Sequence, residues 1–540
     1  MYLPSGAGLQ TRSRLISQFE RSGNLRIDRL AAASLANELE INKNQTTKAL
    51  ARLGKTLSSI TELPKVSPPS SFEATLRPYQ LDGFRWLHFL SSHHLNGILA
   101  DDMGLGKNVQ TLAYLATLPR QDQDALPSLI VAPTSVIANW ELEAERFTPS
   151  IKTLLLQGAG RSLLFSQIPD QHLVLTSYPL LHRDREVLLK QEWKTIILDE
   201  AQYIKNPKTN AAQVACQLKS EHRFCLSGTP MENHLGELWS LMRFTMPGYL
   251  GDENSFSTNF RRPIERHQDT GVQKILNRRV SPLLLRRTKD EVARDLPPKT
   301  ELLHHISLSK KESDLYESVR AAMDKRVRDA LAAKGIAKSQ IIILDALLKL
   351  RQICCHPSLL KTESAKKVRT ASKMTFLTEE LLPGLVEEGR RILLFSQFTS
   401  VLKLIENNVQ TKNIPHLKLT GQTKNRSALV KSFQTGKFPL FLISLKAGGT
   451  GLTLTAADTV VHYDPWWNPA AENQATDRAH RIGQTKPVFV HKLICQGSIE
   501  DHIFTLRKRK AKLVKSLLSK ETSKLTIDSE TLSQLFEPFP

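Results

Sequence analysis

Residues 101–108 read DDMGLGKN, set between the apolar run GILA at 97–100 and the helix-like VQTLAYLATL at 109–118. Strand, glycine loop and helix in that order suit phosphate binding, because N–H groups of the turn and the helix start converge on one anion. Gly104 and Gly106 let the backbone wrap closely, and Lys107 adds a positive charge for β and γ phosphates. Asp102, Met103 and Leu105 complete the cradle. Two positions depart from the strict pattern: Asp101 replaces its first Gly, and Asn108 offers an amide where a Ser or Thr hydroxyl ordinarily meets Mg²⁺. By itself the loop also reads as an ordinary glycine-rich turn, so its meaning depends on the rest of the chain.

Outward from the loop, short apolar runs alternate with helical stretches. One series is GILA, SLIVA (128–132), HLVLTS (172–177), TIILDEA (195–201) and RFCLSGT (223–229). A second is RILLFSQF (391–398), LFLISLKAG (440–448), TVVHYD (459–464) and VFVHKLI (488–494). Such alternation predicts an α/β fold with two parallel-sheet lobes, at 72–300 and 371–498, and a cleft between them. In the intervening 301–370, Leu315, Val319, Met323, Val327 and Leu331 recur every fourth residue, which predicts a helical insertion. Residues 1–71 read as a mostly helical accessory segment closing at the SPPSS break. In the 499–540 tail, Ile499, Ile503, Leu506, Leu513 and Leu517 predict a brace helix around the basic LRKRKAK run.

The 540 residues carry 74 Lys plus Arg against 53 Asp plus Glu, a formal charge of +21. That excess favours a polyanionic partner, nucleic acid first, through phosphate neutralisation and counterion release. Cys216, Cys225, Cys354, Cys355 and Cys495 show no CxxC pairing, which predicts a reducing intracellular setting. No apolar run approaches the ~20 residues needed to span a bilayer and the start lacks a signal-peptide pattern, so the expectation is a soluble protein without a membrane partner.

Two further constellations carry chemistry. In IILDEAQ an apolar strand ends on adjacent carboxylates: Asp199 can hold Mg²⁺ while Glu200 acts as general base on the attacking water. Far downstream, ENQATDRAHRIGQ places Arg478 and Arg481 three apart, on one side of an expected helix. Two guanidinium groups there could face a γ phosphate across the cleft, where arginine fingers are worth about 10³ to 10⁵ in rate. Trp466 and Trp467 read either as base-stacking or as wedging a loop into a core, the second favoured by the flanking prolines. His480 and the Cys354, Cys355, His356 run lack a second ligand pair at zinc spacing and read as structural.

With these motifs in view, the chain resembles the ATPase motor of the Swi/Snf family of superfamily-two helicase-like DNA translocases, over roughly residues 72–515. The resemblance rests on LRPYQLDG (76–83), DDMGLGK, IVAPTSVIANW (130–140), VLTSY (174–178), DEAQ, LSGTP (226–230), LLRRTK (284–289) and LRQICCHP (350–357). It continues through FSQFT (395–399), SLKAGGTGLTLTAAD (444–458), YDPWWNP (463–469) and QATDRAHRIGQ (474–484), all in family order. It implies two RecA-like lobes that close on ATP and Mg²⁺ and walk along double-stranded DNA as a monomer without separating the strands. By the same resemblance Gln80 reads adenine and Gly449 belongs to the nucleotide site. Gly228, Thr229 and Gln484 couple the two activities, and Arg478 with Arg481 are the fingers. Pro133, Thr134, Thr176 and Ser177 fall at first-lobe positions near the DNA backbone, and Ser396, Gln397, Thr450 and Gly451 at second-lobe ones. Small hydroxyl residues and glycines suit phosphate contact that does not read bases.

The family has Thr where this chain has Asn108, which predicts weakened Mg²⁺·ATP binding and slowed turnover. DEAQ and the style of residues 205–242 resemble bacterial members. A cytoplasmic, nucleoid-associated protein that displaces DNA-bound proteins or serves RNA polymerase is then the expectation; a eukaryotic origin would imply a nuclear one. The competing readings are a nucleotide-gated DNA-binding scaffold without effective hydrolysis and a strand-separating helicase.

Overall fold

The computed structural model describes residues 63–118, 125–231, 234–293, 295–423, 425–448, 452–465 and 469–505. Most of the accessory segment and of the C-terminal tail, residues 449–451 and the Trp466–Trp467 pair lie outside the described residues.

Seven strands build the first sheet: β1 Gly97–Leu99, β2 Ser128–Ala132, β3 Thr153–Leu155, β4 Leu173–Ser177, β5 Glu192–Leu198, β6 Lys219–Leu226 and β7 Leu284–Leu285. Their order is β3-β4-β2-β5-β6-β1-β7, and every pairing is parallel. Burial on both faces follows from helical crossovers, and β1, β2 and β4 are buried throughout. The second sheet contains β8 Lys299–Ile306, β9 Ile392–Ser396, β10 His416–Leu419, β11 Leu440–Ser444, β12 Thr459–His462 and β13 Val488–Cys495. It runs β10-β11-β9-β12-β13-β8, again all parallel. Alternate residues feed opposite faces: Ile392, Leu394, Leu440 and Leu442 enter one core, while Leu393, Phe395, Phe441 and Ile443 enter the other.

β8 comes from the segment that the sequence reading divides between the end of the first lobe and the linker. Its register against β13, Lys299↔Val488 through Ile306↔Cys495, makes it the edge strand of the second sheet. Glu301 and Lys299 keep its outer end polar, which conceals it from a search for apolar runs.

The insertion is helical over Lys310–Cys355, capped by Ser309 and Glu312 in a reciprocal box. A straight helix would put residues 19 apart about 28 Å from each other. Instead Arg326 reaches Asp345 at 3.4 Å and the Ser339 hydroxyl donates to the Ala330 carbonyl, so the segment turns back on itself. Val327, Ile343, Leu347, Leu350 and Ile353 fill the space between the arms, together with Ile499 and Ile503 from beyond β13.

One buried ion pair ties this insertion to the second lobe, and another ties the start of that lobe to the segment beyond β13. Arg351 donates to the Pro465 carbonyl at 2.6 Å and faces Asp464 at 3.7 Å, and burial pushes Asp464 up to about 6 despite that cation. Lys373 is paired with Glu500, both side chains almost wholly buried, and also reaches the Tyr463 and Leu493 carbonyls. Removing one member of such a pair strands the other charge, at about 3–5 kcal/mol. Lys373→Met is therefore expected to lower stability by that order in urea denaturation, and Lys373→Met with Glu500→Leu to recover most of it. An unchanged unfolding midpoint in the single variant would contradict the buried-pair account.

Candidate nucleotide site between the two lobes

The loop 101–106 joins β1 to the helix Lys107–Ala116, whose cap Gly106 is left-handed at φ +81. Gly104 is also left-handed, at φ +86, and a Cβ there would lie 2.7 Å from the Arg481 Cβ. Glycine is thus required twice over: for the turn, and for the close approach of the second lobe. Asp101, the departure from the strict pattern, is fully buried and held bidentately by Arg287, at 2.9 Å to Oδ1 and 2.5 Å to Oδ2. Gln110 bridges Asp101 and Arg287, and the strap 285–287 supplies carbonyls to Ala100 N and Asp102 N. Lys107 Nζ donates to the Asp101 carbonyl at 2.6 Å. Gln80, expected at the adenine, spends its amide on the Leu105 carbonyl and on Arg77 N, bonds that fix the loop and cap the helix Pro78–Ser92.

Asp199 and Glu200 follow β5 at the same sheet edge. Each Asp199 oxygen takes one donor, Trp140 Nε1 at 2.8 Å and Glu200 N at 2.8 Å. Burial, and next the charge of Glu200, push Asp199 up to about 7, with Trp140 and Lys107 opposing. Such a carboxylate has lone pairs left and gains from a nearby cation. The oxygen donors of Asp199 and Asn108 are hard ligands of the kind Mg²⁺ takes, so the residues fit that ion. Asn108 Nδ2 donates to Glu143 Oε2 at 2.9 Å. Glu200, at φ +49, accepts from Gln202 Nε2; Gln202 Oε1 accepts from the Ser227 hydroxyl, which in turn accepts from Thr229 N. A Cβ on Gly228 would meet Met103 Cγ at 2.8 Å. The 226–230 segment therefore touches both the phosphate loop and the carboxylate pair.

Arg478 and Arg481 do not share a helix, which corrects the sequence expectation. The helix Pro469–Thr476 stops before them. Turn bonds follow, Arg478 N to the Ala475 carbonyl and His480 N to the Thr476 carbonyl, while the Arg478 carbonyl accepts from Leu454 N and Gln484 Nε2 donates to the Thr455, Ala457 and Ala479 carbonyls. Gln484 thereby shapes the loop that presents the arginines. Arg478 is buried and Arg481 half-buried, and desolvation pulls both below the usual arginine range; Glu200 opposes this at Arg478, Glu143 at Arg481. Across the interface Lys289, whose N–H donates to Asp102, donates its ammonium to Asp477 at 2.5 Å and to the His480 carbonyl at 2.6 Å. His480 Nε2 lies 2.9 Å from the Pro297 carbonyl. Arg287, Lys289, Asp477 and Glu143 carry this arrangement, and only the LLRRTK match hinted at the first two.

The described members of the expected backbone-contact set, at 133–134, 176–177 and 396–397, lie at the C-terminal edges of the sheets, with Ala132↔Ser177 and Ser444↔Ser396 in register. Thr134 is exposed and Pro133 buried. Thr176, Ser177 and Ser396 are buried as well, and Gln397 N is held by Asp464 at 3.1 Å. Cys354, Cys495 and Glu500 place ligand-type atoms within 4.8 Å of one another, but Glu500 already holds the Lys373 ammonium.

Among known families, the SNF2-related domain matches residues 79–359 and the helicase conserved C-terminal domain matches residues 372–483. The chain belongs to the SNF2-related family, and its two parallel-sheet lobes are the RecA-like pair. Relatives include the putative ATP-dependent helicase/translocase YwqA of Bacillus subtilis, 40% identical over 91% of this chain and 54% of that one. The TATA-binding protein-associated factor MOT1 of Saccharomyces cerevisiae is 33% identical over 87% of this chain and 29% of its own. The chain thus spans about half the length, or less, of the curated relatives it matches. A similar solved structure is the Sulfolobus solfataricus SWI2/SNF2 ATPase core in complex with dsDNA, 36% identical over 88% of this chain and 99% of that one, at TM-score 0.44. No helix among the described residues is long and apolar enough to cross a membrane.

Because Arg287 is the cation paired with buried Asp101 among the described residues, Arg287→Met should cost about 3–5 kcal/mol of first-lobe stability and weaken nucleotide binding together. Denaturation monitored alongside nucleotide titration checks this; a loss of binding with stability intact would contradict it.

Proposed function

We propose that the chain is an ATP-dependent double-stranded DNA translocase that displaces DNA-bound proteins without separating the strands. The observation that carries the reading is the meeting of Lys107, Asp199 and Glu200 from one lobe with Arg478 and Arg481 from the other around a single phosphate loop. In this reading Lys107 exchanges the Asp101 carbonyl for β and γ phosphate oxygens, while N–H groups of 104–107 cradle the anion at the helix start. Glu200 takes a proton from the attacking water as the new O–P bond forms and the bond to the ADP oxygen breaks. Arg478 and Arg481 donate to the γ-phosphate oxygens, where charge accumulates. Asp199 and Asn108 would hold Mg²⁺, which would offset the negative charge of the phosphate oxygens. Asn108 reaches farther from the backbone than a Thr hydroxyl, so turnover is slower than with Thr.

The hydrogen-bonded sequence Glu200, Gln202, Ser227, Thr229, with Met103 against Gly228, supports a coupling role for the 226–230 segment. Thr134 and Gln397, with Pro133, Thr450 and Gly451, are assigned to the DNA backbone; buried Thr176, Ser177 and Ser396 are assigned to holding the loops that present them. The charge of +21 supports a polyanionic track. A monomer working on nucleoid DNA in a bacterial cytoplasm, displacing bound proteins or serving RNA polymerase, completes the reading.

ATP hydrolysis measured with and without duplex DNA tests it. Duplex should stimulate hydrolysis, Glu200→Gln should remove it by about 10²–10⁴-fold while nucleotide still binds, and Asn108→Thr should accelerate it. Absence of hydrolysis in both this chain and Asn108→Thr would favour the scaffold reading instead.

A further inference from the structure

Asn108 lies in the first turn of Lys107–Ala116, and Glu143 lies in the helix Ile137–Phe147 packed beside it. Their 2.9 Å bond has only one chemically sensible direction. A carboxylate accepts and does not donate, so the amide turns its NH₂ toward Glu143 and its carbonyl oxygen away. Asn108 Oδ1 makes no hydrogen bond among the described residues.

We infer that Glu143 is a positioning residue of the Mg²⁺ site: it holds the Asn108 amide by its NH₂, so that Oδ1 replaces the hydroxyl that the family pattern has there. This rests on the nucleotide-site reading above. An amide left to itself rotates about its last bond, and half of its orientations present NH₂, which a cation repels. Glu143 removes those orientations. A hydrogen bond from the amide to a charged acceptor also draws electron density onto the amide oxygen, making it a better ligand for a hard cation. A threonine in place of Asn108 would have no amide to orient, and its hydroxyl branches one bond nearer the backbone than Nδ2, short of Glu143. The pair is therefore specific to a chain with Asn at this position. Glu143 also faces Arg481, and a role through that guanidinium would act whatever residue replaces Asn108.

The test is a double-mutant cycle read by binding. The affinity of a fluorescent ADP is measured with and without Mg²⁺ for the intact chain, Glu143→Ala, Glu143→Gln, Asn108→Thr and the Glu143→Ala/Asn108→Thr double variant. Glu143→Met serves as a second, bulkier removal if the alanine variant does not fold. The expected result is a loss of Mg²⁺-dependent affinity by about 10-fold or more on removing Glu143 while Asn108 is kept, as for other partners of metal ligands. Glu143→Gln keeps an acceptor and should restore most of it, and removal of Glu143 in the Asn108→Thr variant should change little. Equal losses in both backgrounds would overturn the inference while leaving the nucleotide site standing. No nucleotide binding by the intact chain, with or without Mg²⁺, would overturn the nucleotide-site reading itself.

Discussion

The bidentate pair between Arg287 and buried Asp101 is the interaction on which the site depends. A carboxylate with no exposure cannot stay charged without a partner at this range, so the loop is fixed to the strap 285–289 wherever that strap goes. Two residues farther along the strap, Lys289 is held to Asp102 by its backbone and crosses to Asp477 and His480 by its side chain. One short segment therefore sets the phosphate loop, the edge of the first sheet and the seat of the arginine loop together. Moving any of them strains the other two.

The electrostatics of the interface follow from burial on both sides. Asp199 is costly to charge where it lies, and so are Arg478 and Arg481; each raises the demand for opposite charge in a space with little water. The two carboxylates and two guanidinium groups come from different lobes and become mutually useful only when the lobes meet. Under the proposed function, a polyphosphate with its cation would add charge of both signs between them, which would give closure a reason to respond to nucleotide.

Much of this was legible in the sequence. The strands that the periodicity predicts are those with continuous apolar runs, and β2, β4, β5, β9, β11 and β12 fall where expected. β3 and β10 escaped because three residues, or the half-polar His416-Leu417-Lys418-Leu419, give no run to find. β8 escaped because edge strands carry charge on the side that faces water. At the candidate site, residue types and order singled out Lys107, Asp199, Glu200 and both arginines, which the fold brings near one another. Spacing alone misjudged the local shape around Arg478, since bonds from the 452–457 loop and from Gln484, remote from any helical pattern, decide it. The pairings Asp101–Arg287 and Asn108–Glu143 join residues 186 and 35 positions apart, and no local signal predicts either.

Displacement of the third strand from a DNA triplex measures the central claim most directly, because it requires motion along intact duplex powered by the site between the lobes. The account predicts ATP-dependent release of the third strand without separation of the underlying duplex, abolished by Glu200→Gln. Hydrolysis of ATP with the third strand left in place, or release that proceeds equally without ATP, would contradict it.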